Sequence, residues 1–352
     1  MKPISPHQYS IVKEGHQLIS FLSKKGKTIS PLLIMTHDYP DPDSLASAFA
    51  LKYLAEEGFQ IQSKIVYGGI IGRMENRTMV NILKLPAHKL KPSDFKKFQH
   101  VALLDTQPSF HNNSFPKDRR ATIVIDQHES PIAPASEFSI VDTECAATSV
   151  ILAQALLSMK INIPDTVATA LVYGILTDTL NLYREDKPIV TQTYLKLLPY
   201  CNMKELAKIQ NPARSRKFFT TLSRGIQQAM ISRRLIVSNI GFVENPDLVS
   251  QIADFLLSYN GTLWSFCTGR FKSKLHVSLR AESPQADAGE ILRDIFDNKN
   301  QAGGHGSIGG GSLEVGLNAP EEVWIEKEKM LVERLKKRVR VPLKNEFHHP
   351  FR

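Results

Sequence analysis

Thr36-His37-Asp38-Tyr39-Pro40-Asp41-Pro42-Asp43-Ser44 follows directly on the apolar run Leu32-Leu33-Ile34-Met35, and this junction decides how the chain is read. The run has the length and composition of a buried strand, and helical periodicity begins at Ser44. Strand C-termini are where open α/β sheets build their sites. His37, Asp41 and Asp43 stand there at H-x-x-x-D-x-D spacing. An imidazole and two carboxylates in one short loop can hold a divalent cation, and acids at i and i+2 of an extended loop can face two different ions. A solvated turn leading into a helix N-cap has the same composition, so the rest of the chain must decide.

Working outward, the spacing predicts a helix over 44–57, with Asp43 or Ser44 as N-cap and Gly58 beyond its end. Residues 61–67, 101–105 and 122–126 read as further strands, the last two ending on Asp105 and Asp126. Helical periodicity returns over 146–159 and 166–176. This alternation predicts an α/β fold, a mostly parallel sheet with helices on both faces. A basic helical stretch follows. A second, smaller α/β unit then begins with β-rich runs at 235–240, 263–269 and 274–280. It continues with a helix over 287–296 and the glycine-rich 303–311. The domain reading is 1–190, a helical linker over 191–225, a second domain over 226–318, and a basic helix and tail over 319–352. In that last helix Trp324, Ile325, Leu331 and Leu335 are available for packing or for a homodimer.

At 352 residues, 42% apolar and 22% charged, the chain has the make-up of a soluble globular protein. Net charge of +9 suits a phosphate-rich partner. No run approaches the roughly 18 apolar residues of a spanning helix, and the first residues lack the apolar core of a signal peptide. Cys145, Cys201 and Cys267 have no zinc spacing and read as thiols of a reducing compartment. The expectation is a cytoplasmic protein with no membrane partner.

Four strand or helix ends now offer ligands: His37/Asp41/Asp43, Asp105, Asp126-Gln127-His128, and Asp178 in Tyr173-Gly-Ile-Leu-Thr-Asp-Thr179. In a parallel sheet the strand ends lie along one edge. Carboxylates gathered there raise one another's pKa unless cations neutralise them. Two divalent ions about 3.5–4 Å apart would do so, and would clamp a phosphoryl group while lowering the pKa of a water. Mixed carboxylate and imidazole ligation suits Mn²⁺ best, with Mg²⁺ or Co²⁺ as alternatives.

H-x-x-x-D-x-D, a strand-end Asp, a D-H-H-like triplet and T-D-T together resemble the motifs of the DHH phosphoesterases. The Gly303-Gly304-His305 stretch is similar to the signature of their C-terminal DHH-associated domain. The resemblance runs from about residue 15 to 316. It is nearest the short two-domain members, the nanoRNase/oligoribonuclease and 3′-phosphoadenosine 5′-phosphate phosphatase group, and no extra nucleic-acid module of the long RecJ-like exonucleases is present. It implies that His37 and Asp41 bind a first metal, Asp43 and Asp178 a second, and that Asp105 bridges both. Gln127 stands where the family has a metal-binding histidine, and offers only a neutral amide oxygen. His128 would face the substrate phosphate, with Asp126 orienting its neighbours. Gly304 and His305 would contact substrate through backbone amides and imidazole, and Arg280 would hold a terminal phosphate.

The implied activity is hydrolysis through a metal-bound hydroxide, in a cleft between domains. The implied substrates are short 5′-phosphorylated RNA, linear dinucleotides or 3′-phosphoadenosine 5′-phosphate. A nucleotide-binding sensor with an impaired second metal site is one alternative. Inorganic pyrophosphatase is another, suggested by Ser215-Arg216-Lys217 and opposed by the Gly-Gly-His stretch.

Overall fold

The computed structural model describes residues 6–159, 161–183, 187–342 and 344–351, with side chains at all of these except 6–12, 284 and 305. The backbone divides into two units, Met1–Pro212 and Ala213–Arg352.

Six strands of the first unit are β1 (Leu32–Thr36), β2 (Ser63–Tyr67), β3 (Ala87–Lys89), β4 (His100–Leu104), β5 (Ala121–Asp126) and β6 (Ser136–Val141). Its helices are α1 (Pro6–Ile29), α2 (Pro42–Tyr53), α3 (Met74–Ile82), α4 (Asp94–Lys97), α5 (Thr148–Met159), α6 (Asp165–Asp178), α7 (Pro188–Leu197) and α8 (Met203–Gln210). The sheet order is β3-β2-β1-β4-β5-β6, with every pairing parallel. Chain order reverses between β1 and β4, so a crevice opens at the C-terminal ends of those strands.

β1 is buried along its whole length because both sheet faces are covered. Leu32 and Ile34 belong to the main core with residues of α2, α5 and α6. Leu33 and Met35 belong to a smaller core with Val101, Leu103, Phe115 and Val124, against which Phe95 of α4 packs. The segment after β4 thus carries Phe115 down over the second face. Asn113 braces it, its amide donating to the carbonyl of Gln107 at 2.8 Å and its side-chain oxygen accepting from Phe115 N at 3.2 Å.

The helix predicted over 44–57 begins earlier and ends in a wider turn: α2 passes into a π-helical turn at Leu54–Gly58. Its N-cap is Asp41, not Asp43 or Ser44, with Ser44 N donating to Asp41 Oδ1 at 2.9 Å. Pro42 supplies the preset φ of the first helical position, which moves the cap one residue before it.

The second unit has β7 (Ala229–Ser232), β8 (Leu235–Phe242), β9 (Trp264–Phe271), β10 (Lys274–Ala281), β11 (Ala302–His305) and β12 (Ile308–Glu314). Its helices are α9 (Arg216–Gln227), α10 (Asp247–Leu257), α11 (Ala288–Ile295) and α12 (Glu321–Arg338). The sheet order is β11-β12-β10-β9-β8-β7, antiparallel except for β8 beside β9. α11 and α12 cover one face and α10 the other. The stretch 191–225 is shared between the units, α7 and α8 lying in the first and α9 in the second. Trp324, Leu331 and Leu335 of α12 pack into their own unit, while Ile325 stays 50% exposed. Beneath them Arg270 is ion-paired with Glu328 at 2.9 Å and Glu321 at 2.7 Å. Among the described residues no helix is long and apolar enough to cross a membrane.

The glycine-rich stretch, expected as an anion-binding loop, is a β-hairpin, with Gly303 opposite Gly310 and Gly304 opposite Gly309. Its glycines answer to packing. A Cβ on Gly289 at the start of α11 would lie 2.2 Å from Gly304 O, and one on Gly309 would lie 2.7 Å from Ala288 O. Gly304 itself has φ +141, which L residues rarely adopt. Gly289→Ala should therefore force α11 off the hairpin, at about 1–3 kcal/mol. Hydrogen exchange should show faster exchange in β11 and β12 with the first unit's sheet unchanged.

Candidate active site

β1 ends at Thr36 and delivers His37 to the crevice. The ring's Nδ1 donates to the Asp38 carbonyl at 2.9 Å, which reserves Nε2 for the site. Nε2 lies 3.6 Å from Asp41 Oδ1 and 3.6 Å from Asp105 Oδ2. Donors held about 2.1 Å from one ion stand roughly 3–3.5 Å apart, so this set needs only slight closure to hold a divalent cation.

Asp105 follows β4 in a left-handed conformation (φ +58), its amide bonded to Ile125 O at 2.9 Å. That turn aims a 1% exposed carboxylate into the crevice. There Oδ1 accepts from Thr148 Oγ1 at 2.8 Å and lies 3.7 Å from His128 Nδ1.

β5 ends on Asp126, which is fully buried and collects three donors: Gln127 N at 2.9 Å, His128 Nδ1 at 2.8 Å and Gln107 Nε2 at 2.8 Å. Its capacity is spent on orienting His128. Gln107 also donates to the His128 carbonyl at 2.8 Å, so the dyad is fixed from two sides. His128 stays 43% exposed at its side chain, open to a ligand.

Asp43, on the first turn of α2, is fully buried. Its two oxygens accept from Ser149 N at 2.9 Å and Thr148 N at 2.8 Å, the amino end of α5. A carboxylate against a helix N-terminus is favourably placed. At the end of α6, Asp178 accepts from Gln127 Nε2 at 2.7 Å.

The crowding shows in the ionisation of these groups. Burial, then the Asp105 and Asp41 charges, push Asp43 up to about 8. Burial and Asp41 raise Asp105 to about 6 against the pull of both histidines. Burial and the same three acids hold Asp178 well above the carboxylate range. Burial alone would lower His37, but Asp41 and Asp105 outweigh it and raise the ring to about 10. Burial likewise opposes His128, which its Asp126 bond and Asp105 lift to about 9. Burial would raise Asp41, yet the facing His37 holds it well below the usual range.

Burial and mutual repulsion thus favour protonation where divalent charge would serve as well. The donor set His37, Asp41 and Asp105 offers three ligand atoms within reach of one cation. Asp105, Asp126 and His128 form a second cluster within reach of one ion, although hydrogen bonds already engage Asp126. At the position expected for a second ion, Asp43 and Asp178 accept from protein donors, and Gln127 turns its amide NH₂ toward Asp178.

The first unit therefore brings together His37, Asp41, Asp43, Asp105, Gln127, His128 and Asp178. Arg280 and Gly304 belong to the second unit. Arg280 is 5% exposed. Its guanidinium is paired with Asp254 and donates to Ser278 Oγ at 2.7 Å and to Gly309 O at 3.2 Å. The side chain of His305 lies outside the described residues. Ser215 caps α9 by accepting from Phe218 N, and Lys217 pairs with Glu244 at 2.6 Å, so Ser215-Arg216-Lys217 is a helix start. Sequence reading missed Thr148, Ser149 and Gln107. The Thr-Ser pair opening an apolar helix was a usable signal, whereas a lone glutamine in a loop was none.

Residues 31–175 match the model of the DHH family, N-terminal domain. Over 315 residues the chain is 33% identical to the uncharacterized protein MJ1633 of Methanocaldococcus jannaschii, covering 88% of this chain and 63% of that protein. It is 25% identical over 318 residues to a second protein of that organism, the uncharacterized MJ0988, covering 86% and 91%. A crystal structure of an exopolyphosphatase-related protein from Bacteroides fragilis shares the fold, with a TM-score of 0.71 at 14% identity, covering 96% of this chain and 99% of that one.

An acid whose folded pKa exceeds its unfolded value binds its proton more tightly when folded. Its contribution to stability is lost as pH rises, here between about 4 and the folded values of about 8 for Asp43 and 6 for Asp105. The raised histidines lose theirs above about 6.5 in the same direction. In chelator the melting temperature should fall steadily from pH 5 to pH 8.5. Mn²⁺ should flatten that slope, and equal slopes with and without metal would contradict the cation reading.

Proposed function

We propose that the chain is a divalent-metal-dependent phosphoesterase acting on short 5′-phosphorylated oligoribonucleotides, linear dinucleotides or 3′-phosphoadenosine 5′-phosphate. The observation that carries this reading is the convergence of His37, Asp41 and Asp105 at the sheet's switch point, with His128 open beside them. His37, Asp41 and Asp105, together with Asp43 and Asp178, would hold the metal, of which Mn²⁺ suits the donors best and Mg²⁺ or Co²⁺ would serve. Bound there, the ions supply Lewis acidity and lower the pKa of water.

The chain's own residues do the rest. His128, its Nδ1 committed to Asp126, keeps Nε2 for a phosphoryl oxygen, and the protonated ring offsets negative charge on the phosphoryl oxygens. Gln107 and the Gln127 amide hold Asp126 still, so His128 is positioned before substrate arrives. Net charge of +9 favours a polyanionic ligand. In the second unit we assign substrate contact to Gly304 and His305, and to Arg280 the bracing of their hairpin through Gly309. The setting we infer is the cytoplasm, and a homodimer through α12's exposed side fits the reading.

A second reading, a nucleotide-binding sensor, draws on one observation: Gln127 donates to Asp178 where a cation would otherwise sit. The two are separated by hydrolysis of linear 5′-pApA and of 3′-phosphoadenosine 5′-phosphate with Mn²⁺. Turnover by the parent protein, reduced at least 1,000-fold in Asp105→Ala with the fold intact, supports the enzyme. Tight binding without turnover across Mn²⁺, Mg²⁺ and Co²⁺ supports the sensor. Gln127→His should restore an imidazole donor beside Asp178 and lower the Mn²⁺ concentration for half-saturation about 10-fold or more, measured by calorimetry. An unchanged titration would show that Gln127 does not weaken the site.

A further inference from the structure

We infer that Tyr39 and the cavity beside it form a nucleobase subsite, with the phenol ring as its stacking platform. This rests on the phosphoesterase reading for the phosphate's position, and adds what the chain recognises next to that phosphate.

Tyr39 combines two unfavourable features. Its backbone is left-handed at φ +60, an outlier for a bulky residue, and its side chain is 67% exposed. Such strain persists only where neighbours over-determine it, and it clusters at ligand sites. The neighbours are present. Tyr39 N donates to Gly68 O at 3.1 Å, Asp38 N to Asn112 O at 2.6 Å, and Asn76 Nδ2 to Pro40 O at 3.3 Å. The loop is thus held on both sides of the tyrosine. The paired Gly68-Gly69 makes room for it: a Cβ on Gly69 would meet the ring at 2.9 Å, and one on Gly68 would collide with the Asp38 carboxylate.

Tyr39 lies two residues from both His37 and Asp41, so its Cα is within roughly 7 Å of each ligand's. Gly69, against which the ring rests, joins Tyr39 to a neighbouring cavity of about 290 Å³ that the ring itself does not line and whose wall includes Tyr67, Ile70, Ile71, Arg77, Asn81 and Lys89. That volume is near the lower end for small-molecule sites. Its wall is apolar and aromatic, suiting a flat heterocycle, while Asn81 offers amide donor and acceptor groups and Lys89 a cation. Arg77 keeps the wall in place by donating to the carbonyl of Gly72. An aromatic ring open to solvent beside a phosphate position is the arrangement by which unpaired bases are held.

The test is equilibrium binding of adenosine 5′-monophosphate and of ribose 5-phosphate in Mg²⁺ buffer, which reads the base independently of turnover. By calorimetry Tyr39→Ala should bind the nucleotide about 5- to 150-fold more weakly, with the sugar phosphate changed less than about 2-fold. Tyr39→Phe should bind like the parent. Trp264 and Trp324 both lie in the second unit, so Tyr39→Trp places a reporter in the first, and only the nucleotide should quench it. Equal loss for both ligands, no loss in Tyr39→Ala, or no nucleotide binding by the parent would overturn the inference. So would a change in solution mass on Tyr39→Ala without a change in nucleotide affinity, which would make the patch a protein interface. Base-dependent binding without hydrolysis of 5′-pApA would uphold the subsite and sink the phosphoesterase reading alone.

Discussion

A single buried carboxylate organises the first unit. Asp43 lies out of solvent at the start of α2, and both of its oxygens accept from the amino end of α5, more than a hundred residues further along the chain. A carboxyl group so placed is costly unless donors answer it, and the unpaired amides of a helix start do so. The bond sets where α5 begins. Thr148, its first residue, then turns its hydroxyl to Asp105. α6 must come close to the same point, where Gly174 leaves only 3.1 Å between a would-be Cβ and Ala46 or Ser149. Three helices and the end of β4 are referred to one group.

From that constraint the electrostatics follow. Asp43, Asp105 and Asp178 are crowded because helix packing brings them together, and the histidines answer in part by holding protons. A site assembled this way is stiff in position and short of positive charge. Those are the properties wanted where a cation must arrive and a phosphate must be oriented. Gln127 alters the balance locally, since an amide NH₂ relieves Asp178 without contributing charge.

Much of this was legible in the sequence. β1, β4 and β5 announced themselves as unbroken apolar runs because both of their faces are buried, and the aspartates after them fell at one sheet edge as parallel topology requires. Other elements were silent for identifiable reasons. β3 is three residues long, and β6 mixes Ser136, Glu137 and Ser139 with Phe138, Ile140 and Val141, with only Ser136 and Ile140 buried. β12 is rich in glycine, which favours no strand. Its cause lies in α11, whose first residues leave no room for side chains. The pairings of Asp43 with Thr148 and of Gln127 with Asp178 were not legible, because the partners lie 105 and 51 residues apart and no local pattern joins them. Helix capping misled the reading by two or three residues, because Pro42 at the first helical position puts the cap at Asp41.

The segment after β4 has two employments. Its first residues, Asp105 to Gln107, carry ligand and brace, and a few residues later Phe115 seals the second face of the sheet, with Asn113 tying the two parts together. One stretch of peptide is therefore both the lip of the crevice and the lid of a hydrophobic compartment. Natural variation cannot reshape the crevice there without loosening the compartment, nor repack the compartment without moving Asp105. Divergence toward new ligands has freer ground on the opposite side, in the loop after β2, where Ile71 alone packs on the main core and Ile70 is 50% exposed.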